Sequence, residues 1–222
     1  MILDSNPFAA EPEPAKLDPA SIPGEIAAIL STVREYAPEA VIAGGYLRDL
    51  TLGVPHVDLD IVVRAREHGD ALGLESDLEH FAGFELEDSC DLTEEKLEAY
   101  RKHFGGDLVG VSTFRVGDEK VQVVALDAFE SLEGDDFAER VLDRIDFGAC
   151  RIAFDGERVI ERPEARHDFV HGTFTLYRAR DGAAVLNSVA RFMRWRVRYP
   201  RATFEIAVPI EASSEPLEVT RW

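Results

Sequence analysis

Between Val57 and Val63 the chain reads VDLDIVV. The apolar residues mark a buried strand, yet Asp58 and Asp60 stand two positions apart within it. Residues i and i+2 of a strand point to the same face. Two carboxylates side by side repel each other, and each costs free energy to bury unpaired. A positive group must sit between them, and a metal ion is the usual candidate.

The residues just upstream fit that requirement. AVIAGG is a short buried strand that ends in Gly44 and Gly45, and YLRDLTLG is a short helix closed by Gly53. Glycines let backbone N–H groups approach a phosphate closely. Twelve residues separate Gly45 from Asp58, enough for the helix and a loop to return to the sheet. Asp58 and Asp60 would then face a phosphate cradle, the layout of a metal-dependent phosphoryl-transfer site.

The rest of the chain reads as alternating helices and strands. Residues 1–23 are rich in Pro and Ala, lack a period and are expected to be a flexible tail. From Gly24 the apolar spacing is helical and stops at Pro38. REHGDALGLESDLEHFAGF and LTEEKLEAYRKHFGG read as amphipathic helices. DLVGVSTFRV and KVQVVAL flank GDE as a hairpin. DDFAERVLDRI is a further helix, and FGACRIAFDGERVI gives two strands about Asp155-Gly156. This order argues for an α+β (mixed α/β) fold, a mixed sheet flanked by helices. A head domain is expected over 24–160 and a helical extension with a basic helix over 161–222.

Composition limits the partners. The 222 residues carry a formal charge of −19, so any nucleic-acid contact needs a local basic patch. One candidate lies between Arg178 and Arg201, where seven arginines stand against one acid. On a helix, Arg191, Arg194 and Arg198 share a face, with Trp195 close by. Such a face would grip an RNA backbone or stack a base; the alternative is a neck helix whose arginines pair with acids of the same chain. His167 and His171 are read as ordinary surface histidines, and His56 as a loop residue. Cys90 and Cys150 have no metal-ligand spacing and are read as free thiols. No apolar run is long enough to span a bilayer and no signal-peptide pattern is present, so a cytoplasmic protein is expected.

GGYLRD followed by DLDIVV resembles the head-domain motif of the polymerase-β-like nucleotidyltransferases, in particular CCA-adding enzymes and bacterial poly(A) polymerases. Gly44, Gly45, Arg48, Asp49, Asp58 and Asp60 match its pattern. RIDFGACRIAFDG looks like a second segment of those enzymes, which contacts the nucleotide sugar, with Arg144, Asp146 and Phe147 in register. The resemblance implies Mg²⁺ on Asp58 and Asp60, with a second ion in such sites, and an NTP (ATP or CTP) as donor. It also implies nucleotide binding by Gly44, Gly45, Arg48, Asp49, Arg144, Asp146 and Phe147, and an acceptor such as an RNA end. Two departures matter. The family's third carboxylate falls at Gln122, which supplies neither charge nor a base and weakens a second ion. The family's nucleotide-choosing helix motif keeps only Arg191 in rough register. The alternative is a catalytically impaired nucleotide-binding module of the same fold.

Overall fold

A computed structural model describes residues 15–89, 108–127, 136–179 and 181–208. The helix expected over LTEEKLEAYRKHFGG, the first fourteen residues and Cys90 lie outside them.

Helix α1 (Gly24–Tyr36) forms because Ile26, Ile29, Leu30 and Val33 recur on one face, and all four are buried. It stops at Ala37, before Pro38, because the residue preceding a proline is forced out of the helical region. Strand β1 (Val41–Ala43) follows, wholly buried. Gly44 then turns the chain at φ +86°, a conformation that favours glycine, and opens α2 (Gly45–Thr51). Strand β2 (Leu59–Ala65) and α3 (His68–His80) come next. After β3 (Glu85–Asp88), the hairpin β4 (Leu108–Val116) and β5 (Glu119–Asp127) closes through Gly117, at φ +61°.

Asp136 caps α4 (Phe137–Arg144) by accepting from the Ala138 N–H at 3.0 Å. A single 3₁₀ turn at Gly148–Cys150 leads to β6 (Ile152–Phe154) and β7 (Val159–Glu161). Pro163 starts α5 (Pro163–His171), and Gly172 ends it in the left-handed region. Then come β8 (Thr173–Leu176), α6 (Gly182–Trp195) and β9 (Thr203–Ile206). Among the described residues no helix is long and apolar enough to cross a membrane.

Seven strands form one mixed sheet in the order β3-β4-β5-β2-β1-β6-β7. Only β2 and β5 run parallel; the other neighbours are antiparallel. Strand alternation gives the sheet two faces. Leu59, Ile61 and Val63 of β2, with Val121 and Val123 of β5, join residues of α1, α2 and α3 in the larger core. Val62, Val124 and Leu126 pack on the other face, against Phe137, Val141 and Leu142 of α4.

The ends of the chain differ from the sequence expectation. Within the stretch expected to be a tail, Ile22 is buried in the core, and Leu17 packs against it. The segment 161–222 is not purely helical, because β8 and β9 pair as a separate parallel two-stranded sheet. A head–extension boundary at 160 would also cut β7. The buried Asp168 carboxylate explains how this region is tied down. It accepts from Ala149 N at 2.8 Å, Thr173 Oγ1 at 2.8 Å, and Thr175 N and Oγ1 at 2.9 and 2.6 Å. Gly148 is required beside it, since a Cβ there would lie 2.7 Å from Asp168 Oδ2 and 2.7 Å from the Tyr177 ring.

A second buried charge cluster joins α2 to the segment that follows α6. Arg48 and Asp49 of α2 are 3% and 2% exposed and pair with each other at 2.6 Å. Asp49 also accepts from the Tyr199 hydroxyl and from Arg198, just beyond α6. Arg198 donates in addition to the Pro55 carbonyl. Removing one partner from a buried ion pair leaves an uncompensated charge, at a cost of about 3–5 kcal/mol. Asp49→Asn, which strands two guanidinium groups, is therefore expected to lower the denaturation free energy by about that amount, read from urea or guanidinium unfolding.

Candidate active site

The parallel pairing of β2 and β5 sets the geometry. Asp60 stands opposite Gln122, and Leu59 opposite Val121. Thr113 of β4 is opposite Gln122 on its other side. Paired residues share a face, so Thr113, Gln122 and Asp60 form a polar row across three strands. It lies on the face that α4 covers further along, where Val62 and Val124 are buried. Asp58 stands one residue before β2, on the same side as Asp60 by alternation. Asp58, Asp60 and Gln122 are all half-buried. Gly44, at the end of the adjacent β1, donates its N–H to Ile152 O at 3.0 Å.

Burial and the neighbouring Asp58 carboxylate raise the Asp60 acid to about 7, against the pull of Arg48 and Lys120. A carboxyl group held so far above its usual range is short of positive charge. Oxygen ligands of this kind suit Mg²⁺, which takes one or two carboxylates and fills its remaining positions with water and phosphate oxygens. The donor set fits that ion: two carboxylates and the amide oxygen available at Gln122. Among the described residues no cluster of three or more His, Cys, Asp or Glu could hold a metal. Asp118 and Glu119, the nearest alternatives for a third carboxylate, lie in the hairpin turn and at the start of β5. Glu119 is engaged by His56 at 2.8 Å, whose ring also packs edge-on against Tyr46 at 4.7 Å.

Arg48 and Asp49 are buried beside the glycine turn. The Arg48 guanidinium stacks over Trp195 at 4.4 Å and donates to Cys150 Sγ at 3.2 Å. Burial works against its charge, but Cys150, Asp49 and Tyr199 more than offset this, and its pKa is raised. Burial likewise raises the Cys150 thiol. Arg48 and Asp49 are thus engaged by partners within the fold and brace α2. Sequence spacing could not reveal this, because the partners Tyr199 and Arg198 lie 150 and 149 positions from Asp49.

The second sequence motif is also turned inward. Phe147 is fully buried, with ring centroids at 5.0 Å from Trp195 and 6.3 Å from Phe174, so it is a core residue. Asp146 accepts from Phe147 N at 2.9 Å, from Ser188 Oγ at 2.9 Å and from Arg191. Its carboxylate therefore anchors α6. Arg144, the last residue of α4, is half-buried.

The basic helix is likewise not a free RNA-binding face. Arg191 pairs with Asp146 and lies 4.9 Å over Phe147. Arg198 pairs with Asp49, and Trp195 packs in the aromatic cluster. Arg194 and Arg196 remain exposed. The inward turn has a plain cause: two acids of the head domain neutralise two of the arginines, and burial of the intervening aromatic rings drives the contact. His167 and His171 stack edge-on at 4.5 Å on α5, with His167 3.6 Å from Asp168.

Neither a protein-family model nor the sequence of a curated protein matches the chain. Solved structures do match its fold. The Thermotoga maritima CCA-adding enzyme complexed with tRNA superposes with a TM-score of 0.55 at 17% identity, over 85% of this chain and 40% of that one. A CCA-adding enzyme with CTP gives a TM-score of 0.55 at 17% identity, over 85% of this chain and 42% of the other. A tRNA-processing enzyme in an apo form gives 0.54 at 19% identity, over 82% and 44%. The chain thus spans less than half the length of these proteins. Likeness at this level of identity establishes the fold: a mixed α/β nucleotidyltransferase-like fold resembling the heads of CCA-adding enzymes.

Proposed function

We propose that the chain is a nucleotidyltransferase that binds a nucleoside triphosphate at Asp58 and Asp60 with Mg²⁺ and transfers its nucleotidyl group to an acceptor hydroxyl. The observation that carries this reading is the register that sets Asp60 beside Gln122, with Asp58 next to them. That patch places two oxygen-bearing acids and an amide at the edge of an apolar sheet face. The similar fold of CCA-adding enzymes solved with CTP and with ATP supports a nucleoside triphosphate as donor.

In this reading Asp58 and Asp60 would hold the ion, and Gln122 would add an oxygen ligand or hydrogen bond. When bound, Mg²⁺ supplies charge neutralisation for the phosphate oxygens. The Gly44-Gly45 turn would accept the triphosphate, since its conformation leaves the backbone uncovered. The acceptor oxygen forms the new bond to the α-phosphorus while the bond to the pyrophosphate oxygen breaks. Its proton passes to solvent, because the Gln122 amide cannot accept it as a base. Loss of general-base help typically costs about 10²–10⁴-fold in rate, so slow transfer is expected. Gln122 is also the specific observation behind a second reading, a nucleotide-binding module that performs no transfer.

Of the arginines first considered for RNA, Arg194 and the neighbouring Arg196 are the exposed candidates. An RNA end is therefore one acceptor class beside a protein or a small molecule. Incubation with labelled ATP and CTP, Mg²⁺ and candidate acceptors tests the reading. Label transfer that is lost in Asp58→Asn with Asp60→Asn would support it; Mg-NTP affinity unchanged in that double variant would overturn the site assignment.

The raised Asp60 acid yields an independent prediction without nucleotide. The folded protein holds this proton more tightly than the unfolded chain does. Stability is therefore lost as pH rises from the unfolded value near 4 towards about 7, and stays lost above it. In EDTA, Asp60→Asn is expected to raise the melting temperature at pH 8 and to leave it nearly unchanged at pH 4. Added Mg²⁺ should stabilise the wild type at pH 8 and the variant much less.

A further inference from the structure

We infer that Lys120 carries the positive charge that a second metal ion would otherwise bring, so that the site takes one divalent cation and clamps a triphosphate between it and the Lys120 ammonium. The inference rests on the proposed nucleotide site at Asp58 and Asp60.

The register places Lys120 there. Leu59 pairs with Val121 and Asp60 with Gln122, so one step earlier Asp58 comes level with Lys120. Alternation along β5 puts Lys120 and Gln122 on the same face. Asp58, Asp60, Lys120 and Gln122 are thus the four corners of one patch. Lys120 is half-buried, and its charge acts on the Asp60 carboxylate.

The neighbouring charges are already committed. Arg115, directly opposite Lys120 on β4, is held by Glu87 at 2.6 Å. Glu119 is held by His56 at 2.8 Å. Arg48 is locked into the buried pair with Asp49. Among the described residues, the Lys120 side chain makes no hydrogen bond or ion pair. It remains the cation at this patch that is available to an incoming anion.

The charge balance then limits the number of metal ions. Two carboxylates against one ammonium leave the patch with a single net negative charge. One divalent cation reverses that sign. In the nucleotide-free patch a second would sit among like charges, with only the neutral amide of Gln122 to attract it, and once a triphosphate is bound the Lys120 ammonium competes for the same phosphate oxygens. Lysine is a compact point charge that suits phosphate oxygens, and its flexible stem lets the ammonium follow them. A chain that lacks the third carboxylate and carries a lysine two residues earlier on the same face has exchanged a metal ligand for a phosphate ligand.

The test uses Mn²⁺ as the probe ion and non-hydrolysable α,β-methylene ATP and CTP as probe nucleotides. Mn²⁺ bound per chain is counted by electron paramagnetic resonance in the saturated ternary complex, and nucleotide affinity is measured by calorimetry. The wild type is expected to hold one Mn²⁺ per chain. Lys120→Met keeps the stem and removes the charge. It should weaken nucleotide binding about tenfold or more, the scale of one charge-assisted hydrogen bond. It should also leave Mn²⁺ binding to the nucleotide-free protein equal or tighter, and Lys120→Arg should restore much of the nucleotide affinity. Two Mn²⁺ per wild-type chain, or a Lys120→Met affinity equal to wild type, would overturn the inference while leaving the nucleotide site standing. Binding of neither Mn²⁺ nor nucleotide to the wild type would overturn both.

Discussion

The buried pair of Arg48 and Asp49 is the contact on which the arrangement of the site depends. Charges so far from water are tolerated only when each has several partners. Asp49 receives Arg48, Arg198 and Tyr199; Arg48 reaches Cys150 and lies over Trp195. The partners come from α2, from the turn before β6 and from the end of α6. The cluster therefore fixes α2 against the C-terminal segment, and with it the Gly44 turn at the end of β1. An Arg-Asp dipeptide three residues after a glycine pair serves here to hold the turn.

The two sheet faces explain why the site lies where it does. Along β2 and β5, one set of alternate residues, Leu59, Ile61, Val63 and Ala65 with Val121, Val123 and Ala125, is apolar and faces α1, α2 and α3. The other set is apolar only under α4, through Val62, Val124 and Leu126. Towards the start of β2 that set becomes Asp60 and Gln122. At that end burial and the neighbouring Asp58 carboxylate raise the Asp60 acid, a cost in stability that a bound cation would relieve. Core packing and the proposed ligand site thus fall at different ends of one sheet face.

Much of this was legible in the sequence, and the limits have a physical origin. The Asp58/Asp60 spacing, the turn at Gly117, the turn at Gly156 and the apolar period of α1 are local, and local patterns carry them. Strand alternation also put Gln122 on the opposite face from Val121 and Val123. What sequence could not give were partners brought together only by the fold. Asp146 and Arg191 lie 45 positions apart and neutralise each other, so residues that read as sugar and RNA contacts became internal struts. Phe147 had the same fate, because an aromatic ring beside Phe174 and Trp195 gains more from burial than from exposure. Strands β8 and β9 are only four residues each and pair across the whole of α6, which no short-range period announces.

Anomalous diffraction from crystals grown with Mn²⁺ and a non-hydrolysable NTP is the most direct measurement of the site. A Mn²⁺ peak bridging the Asp58 and Asp60 carboxylates, with the triphosphate against the Gly44 turn and Arg48 still paired with Asp49, is the predicted result. Metal and nucleotide bound elsewhere, or Arg48 swung out to the phosphates, would contradict the division between a buried brace and an open site.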